Sequence, residues 1–199
     1  VVLLIMAACS GTGKSTLARR LLAEHPRLRL SVSHTTRAPR PGETSGVEYH
    51  FVDRATFQAK VAEGAFAEWA EYAGNLYGTA HTEIDRARAD DRDLLFDVDV
   101  VGAANLKASY PDAVSFFILP PTWAELERRL RTRGTEVEAV VQKRLDVARR
   151  ELDAAAGFDY LVVNDTLEPA YAELLALYRA AGLRTSERVG LLDRLRASV

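Results

Sequence analysis

The sequence predicts an α/β fold built on a parallel sheet. Three observations predict it: five short apolar runs, a turn after each run, and helix-like periodicity after each turn. The runs are Val1–Met6, Leu28–Ser33, Leu94–Val98, Val114–Leu119 and Tyr160–Val163. A chain of 199 residues suits one domain, with room for inserted subdomains, and can bury a substantial core.

Taken in order, the apolar stretch from Val1 to Cys9 has no basic flank and is too short to cross a bilayer, so it reads as a buried strand. A helix opens at Lys14, where STLARRLLAEH places Leu17, Leu21 and Leu22 on one stripe. After Leu28–Ser33 the alternation breaks. Residues 34–80 carry a Pro/Gly/Arg loop (Thr35–Gly46) and two alternating runs, VEYHFV and FAEWAEY, which predict an inserted antiparallel patch. Asp53 is placed to cap a helix running through Phe57 and Val61. Beyond Leu94–Val98 and Val114–Leu119, Thr122 and Glu125 have capping-box spacing after Pro120-Pro121. Residues 126–152 are arginine-rich and helical, with an irregular break at Thr132–Thr135. After Tyr160–Val163 the chain ends in an amphipathic appendage near Arg188–Ala197.

Composition is 48% hydrophobic and 27% charged, with a net charge of −2. That balance gives no overall electrostatic footprint for nucleic acid or an anionic membrane, so the expected partner is a small molecule, with no obligate protein partner implied. One cysteine excludes an internal disulfide framework and fits a reducing compartment, here expected to be the cytoplasm.

The stretch AACSGTGKST, residues 7–16, carries the first chemical signal. A strand, a glycine turn and a helix opening at Lys14 aim backbone N–H groups and the positive helix end at one spot, which suits phosphate oxygens. Lys14 would reach the β- and γ-phosphates, and the Ser15 hydroxyl would ligate Mg²⁺. The chain holds 22 Arg and only four Lys, so a lysine in this slot stands against its own preference. The phosphate-loop pattern asks for glycine where the chain has Ala8; alanine is tolerated there if its φ stays negative. Further on, SHTTRAPRPGE sets Arg37 and Arg40 three apart on a proline-stiffened loop. It is either a pair of forks for one phosphate or a solvated charged loop.

The blocks SVSHTTRAPRPGE, GVEYHFV, FAEWAEYAGNLYGT, LLFDVDVVGA, FFILPPTWAELERRLRTRGT and YLVVND follow in the order and spacing of guanylate kinases. Over about residues 1–180 the chain resembles that family. The resemblance implies a P-loop nucleoside monophosphate kinase fold: a core of about 1–32, 81–122 and 155–180, a mixed α/β GMP-binding subdomain over about 33–80, and a helical lid over about 123–154. Residues 181–199 would form a C-terminal helical extension. It also implies transfer of the γ-phosphoryl group of ATP to GMP, and to dGMP, with Mg²⁺ as cofactor.

On the resemblance, Ser10, Gly11, Thr12, Gly13, Lys14, Ser15, Thr16, Arg133 and Asn164 are ATP positions. Ser33, Glu68 and Thr79 are guanine-reading positions. Arg37, Arg40, Tyr49 and Tyr77 match contacts to the GMP phosphate, and Asp97 and Asp99 match acidic positions near GMP and the metal. One of that aspartate pair can equally be only a helix cap. Lys14, Arg37, Arg40, Arg133 and Arg144 are the implied catalytic groups. Trp69 is read as packing, and Arg128, Arg129, Arg149 and Arg150 as a solvated face with Glu125, Glu127 and Glu151. The sequence departs from the common family pattern at Ala8, Cys9, Val101 and Thr132. Cys9 is either a thiol activated by the helix N-terminus or a small gap-filler. The rival readings are a catalytically silent guanylate-kinase-like interaction domain and a kinase for another phosphorylated acceptor.

Overall fold

The structure is a computed structural model, described here over residues 1–132 and 138–198. Strand β1 (Leu3–Ala8) leads through the glycine turn into α1 (Lys14–Glu24) and then β2 (Leu28–Leu30). The inserted segment holds β3 (His34–Thr35), β4 (His50–Phe51), α2 (Arg54–Ala62), β5 (Phe66–Tyr72) and β6 (Asn75–Ala80). The chain returns through α3 (His81–Ala89), β7 (Asp93–Asp97), α4 (Val100–Ser109) and β8 (Val114–Leu119). Next come α5 (Trp123–Thr132), α6 (Glu138–Asp153), β9 (Tyr160–Val163), α7 (Leu167–Ala181) and α8 (Thr185–Arg196).

The main sheet is parallel throughout, in the order β2-β7-β1-β8-β9. Its centre is β1, buried at every position. A central parallel strand is covered on both faces, so its sequence runs apolar without alternation. Its side chains still alternate in space. Leu3, Ile5 and Ala7 join a core with Phe96, Phe117, Leu126 and Leu145, while Leu4 and Met6 join Leu17, Leu21, Phe116 and Leu174 on the other face. Two predicted strands match their runs, Val114–Leu119 and Tyr160–Val163. The first starts at Leu3 and extends to Ala8, because its register with β8 continues to Ala8↔Ile118. The second ends at Leu30, where the chain leaves for the other sheet.

That second sheet has the order β4-β3-β6-β5. It is mixed and not the antiparallel patch expected from VEYHFV and FAEWAEY. β3 pairs antiparallel with β6 but parallel with β4. A parallel pair needs a crossover of about a dozen residues or more, and residues 36–49 supply it, leaving only His50–Phe51 of VEYHFV as strand. Asp53 caps α2 as predicted, its Oδ1 accepting from the Thr56 N–H at 2.7 Å. The helix lays Phe57 on Phe66 with ring centroids 4.5 Å apart, the core of this sheet. Trp69 is not core; it pairs with Gly78 in β5–β6 and is 44% exposed.

Thr122 accepts from the Glu125 N–H at 3.1 Å, the forward half of the expected capping box. The Glu125 carboxylate turns instead to Arg128 and Arg129. Helix α5 is described as far as Thr132, whose hydroxyl donates to the Arg128 carbonyl at 2.8 Å, and the rest of the expected break at Thr132–Thr135 lies outside the described residues. Helix α8 begins three residues before the predicted appendage and has no buried residue, with Leu191, Leu192 and Leu195 exposed, so it has no covered apolar face. Among the described residues no helix is long and apolar enough to cross a membrane.

Candidate active site

The glycine turn at the end of β1 has the backbone its residues require. Gly11 and Gly13 sit at φ +94° and +89°, left-handed values that favour glycine. Space is the second constraint: a Cβ on Gly13 would lie 2.5 Å from Asn164 Nδ2, and one on Gly11 2.9 Å from Leu130 Cδ2. Ala8 remains in β1 outside the positive-φ residues, so the missing glycine is no defect. The turn is tied internally, the Thr12 hydroxyl donating to the Cys9 carbonyl at 2.9 Å. It is also tied across the sheet, where the Asn164 amide donates to the Thr12 carbonyl at 2.6 Å. Helix α1 then opens with Lys14, Ser15 and Thr16, whose first-turn amides face the turn.

A cleft of about 370 Å³ opens from this turn. Ser10, Gly11, Gly13, Lys14 and Ser15 line one wall, and Ser33, Tyr49, Glu68, Tyr77, Asp97 and Asp99 are among the residues lining the rest. Lys14 Nζ stands 2.5 Å from Asp97 Oδ1 and donates to the Val98 carbonyl at 3.3 Å. The two aspartates divide their work. Asp97 pairs with Lys14, whereas Asp99 caps α4, its Oδ1 accepting from the Gly102 N–H at 2.7 Å.

The far wall belongs to the second sheet. Glu68 is 6% exposed, and its Oε1 accepts from both the Thr79 N–H at 3.0 Å and the Thr79 hydroxyl at 2.8 Å. Ser33 Oγ is 3.1 Å from Thr79 Oγ1, so the three predicted guanine-reading residues form one connected group. Burial pushes the Glu68 carboxyl up to about 7 against the opposing pull of its Thr79 hydrogen bonds. Gly102 leaves room for it: a Cβ there would sit 3.1 Å from Glu68 Oε2. Tyr49 and Tyr77 meet edge to face at 6.0 Å, and the Arg37 guanidinium lies 5.3 Å above the Tyr49 ring. Glu43 holds the arginine loop together, accepting from Arg37 Nη2 at 2.9 Å and from the Arg40 N–H at 2.7 Å. The Arg40 side chain is exposed.

Behind the turn lies a hollow of about 310 Å³ lined by Thr12, Thr16, Arg129, Thr132, Asn164 and Leu167. Arg129, expected on a solvated face, donates to the carbonyls of Asn164 and Asp165 at 2.8 and 3.0 Å. Glu151, expected beside it, is buried and lines the main cleft. Arg128 and Arg149 are exposed as expected, pairing with Glu125 and Asp146. Arg144 is half-buried on α6, within electrostatic reach of Tyr72. Arg133 lies outside the described residues. Cys9 is a gap-filler: it is 2% exposed, its thiol donates to the Ala148 carbonyl at 3.5 Å, and burial together with Glu151 pushes it up to about 12. That opposes the activated thiol.

A glycine turn at a helix N-terminus, facing a buried carboxylate and hydroxyl group across one cleft of a parallel α/β sheet, defines a phosphoryl-transfer enzyme acting on nucleotides. The guanylate kinase family profile matches residues 2–181. The chain is 54% identical to the guanylate kinase of Oleidesulfovibrio alaskensis over 98% of its own length and 94% of that protein. It is 46% identical to that of Neisseria gonorrhoeae, covering 96% and 93%. The crystal structure of guanylate kinase from Anaplasma phagocytophilum matches with a TM-score of 0.78 at 30% identity, covering 98% of this chain and 94% of that one. This chain therefore belongs to the guanylate kinase family and is an ATP:GMP phosphotransferase.

The raised Glu68 pKa makes a stability prediction. A carboxyl at 4.5 when unfolded and about 7 when folded leaves stability unaffected below about 4.5, erodes it as pH rises, and has its full effect above 7. At about 1.4 kcal/mol per pH unit the loss over this window is on the order of 3–4 kcal/mol. Urea denaturation of the wild type and Glu68→Gln should diverge across this window, with the variant the more stable at pH 8. Parallel curves would show that Glu68 does not titrate there.

Proposed function

We propose that the main cleft holds ATP phosphates and GMP in line, each by the residues that line its own wall. The observation that carries this reading is the position of Lys14 and the Glu68–Thr79–Ser33 group on the two walls of one cleft. On the ATP side, Ser10, Gly11, Gly13, Lys14, Ser15 and Thr16 bind phosphate, with Thr12 and Asn164 fixing the turn. The adenine lies in the hollow beside Asn164 and Arg129. On the acceptor side, Glu68 accepts the N1–H and N2–H of guanine, while Ser33 and Thr79 serve its remaining edge. Adenine has no such donor pair and would leave Glu68 unpaired in a closed site. Arg37 and Arg40, backed by Tyr49 and Tyr77, bind the acceptor phosphate. None of these assigned contacts reaches the sugar 2′ position, so dGMP is accepted as well.

The donor set fits Mg²⁺. Ser15 offers a hydroxyl where the phosphates lie, Asp97 and Asp99 line the facing wall, and no group of three or more His, Cys, Asp or Glu among the described residues builds a protein-only cage. That suits an ion which keeps waters and takes substrate phosphates as ligands. When bound, it would neutralise charge on the β- and γ-phosphates. The chain's own residues do the rest. Lys14 leaves Asp97 for the γ-phosphoryl group, Arg37 and Arg40 hold the acceptor, and Arg144 and Arg133 neutralise the transferring group. GMP's phosphate, with a second pKa of about 6, is already mostly ionised at neutral pH and needs no general base. Residues 33–80 and 123–154 close over both substrates and exclude water, which limits ATP hydrolysis.

Lys14→Ala should abolish GMP-dependent ADP release while leaving GMP affinity at the wild-type level, and chelating Mg²⁺ should do the same to the wild type. Substantial residual turnover in either case would sink the assignment. Closure has its own readout. The radius of gyration from small-angle scattering should fall when both substrates are added, and an unchanged value would argue against two moving pieces.

A further inference from the structure

Glu151 stands in a run of charged residues on α6, where spacing alone makes it part of a solvated face. It is instead 8% exposed, and its Oε2 is a buried oxygen with no hydrogen-bond partner among the described residues. The side chain lines the main cleft together with Ser10, Gly11, Gly13 and Lys14. This part of α6 is pressed against the loop: fully buried Ala148, one turn earlier, accepts the Cys9 thiol at 3.5 Å.

The charges around Glu151 do not form a pair with it. The Lys14 ammonium is engaged by Asp97 at 2.5 Å. Burial raises the Glu151 carboxyl, the Ser10 backbone amide and Lys14 draw it the other way, and Asp99 adds repulsion. A buried carboxylate oxygen without a donor is expensive. What partly offsets it here is the Ser10 backbone amide of the glycine turn, with Lys14 and Arg150 nearby, the kind of positive surroundings that a helix N-terminus offers an anion.

We propose that Glu151 is an internal counter-anion of the phosphate loop: its carboxylate sits in the loop's positive field in the nucleotide-free protein, and the terminal phosphates of a nucleotide displace it. This rests on the reading of the Lys14 loop as the ATP site. Glu151 is then a determinant of nucleotide affinity. It weakens binding of any adenine nucleotide that carries β- or γ-phosphates, speeds the release of ADP, and leaves the guanine pocket untouched. Its charge, not its packing, does this.

The test is calorimetric titration of the full chain, wild type and Glu151→Gln, with ATP, ADP, adenosine and GMP, alongside thermal melting. Glu151→Gln keeps the shape and removes the charge. ATP and ADP should bind about five- to tenfold more tightly to the variant, the scale of one screened charge interaction. Adenosine and GMP should bind as they do to the wild type, and the variant should melt at a higher temperature because a buried charge is gone. Glu151→Asp, which keeps the charge, should not reproduce the gain. ATP binding that is unchanged or weaker in Glu151→Gln, or a lower melting temperature, would make Glu151 a packing anchor and overturn the proposal. If the wild type binds GMP but no ATP, the ATP-site reading fails and takes the proposal with it. If the wild type binds ATP and Glu151→Gln binds it no better, only the counter-anion idea fails.

Discussion

The Asn164 amide donating to the Thr12 carbonyl at 2.6 Å is the contact on which the rest of the site depends. It exists because Gly13 has no side chain: at φ +89° a Cβ would stand 2.5 Å from the Asn164 nitrogen. Asn164 is in turn fixed by the sheet, its backbone N–H donating to the Leu119 carbonyl at 2.8 Å just beyond the β8–β9 ladder. Thus β1, β8 and β9 together set where the loop turns, where α1 begins and where Lys14 points. A catalytic constellation carried on buried parallel strands in this way is held far more rigidly than one carried on surface loops.

Charge is the second organising constraint. Among the described residues lining the cleft, Lys14 is the one cation, facing Glu68, Asp97, Asp99 and Glu151. A cleft so acidic is poorly suited to two polyanions until more positive charge arrives. In the proposed mechanism that charge comes from Arg37, Arg40 and the arginines of the lid, together with the metal. In the proposed mechanism Glu68 trades stability for function: burial penalises its ionised form, and guanine's two N–H donors would satisfy it.

Much of this was legible in the sequence, for a physical reason. A central parallel strand, a glycine turn and an amphipathic helix are each encoded locally, so β1, the loop and α1 could be read from contiguous residues, as could the caps at Asp53 and Thr122. The family resemblance named Ser33, Glu68 and Thr79 together, a grouping no local pattern encodes, because they meet only through β3, β5 and β6. What stayed hidden was decided by packing. Glu151 and Arg129 sit at ordinary helical charge spacing, and nothing in that spacing tells a solvated carboxylate from one buried against Ser10. Glu43 gave a faint signal, following the Arg40-Pro-Gly turn directly, but its role as the clasp of Arg37 needs the folded loop. The β3–β4 pairing escaped because two-residue strands have no periodicity to detect.

Guanine-selective transfer across the cleft is tested most directly by offering GMP, dGMP, AMP and CMP as acceptors in one coupled ADP-release assay. GMP and dGMP should be turned over, with kcat/KM for AMP and CMP lower by a factor of about 10⁴, the scale expected when a buried acceptor is left unpaired. AMP turnover within about tenfold of GMP would contradict the assignment of Glu68, Ser33 and Thr79 as the group that reads the base.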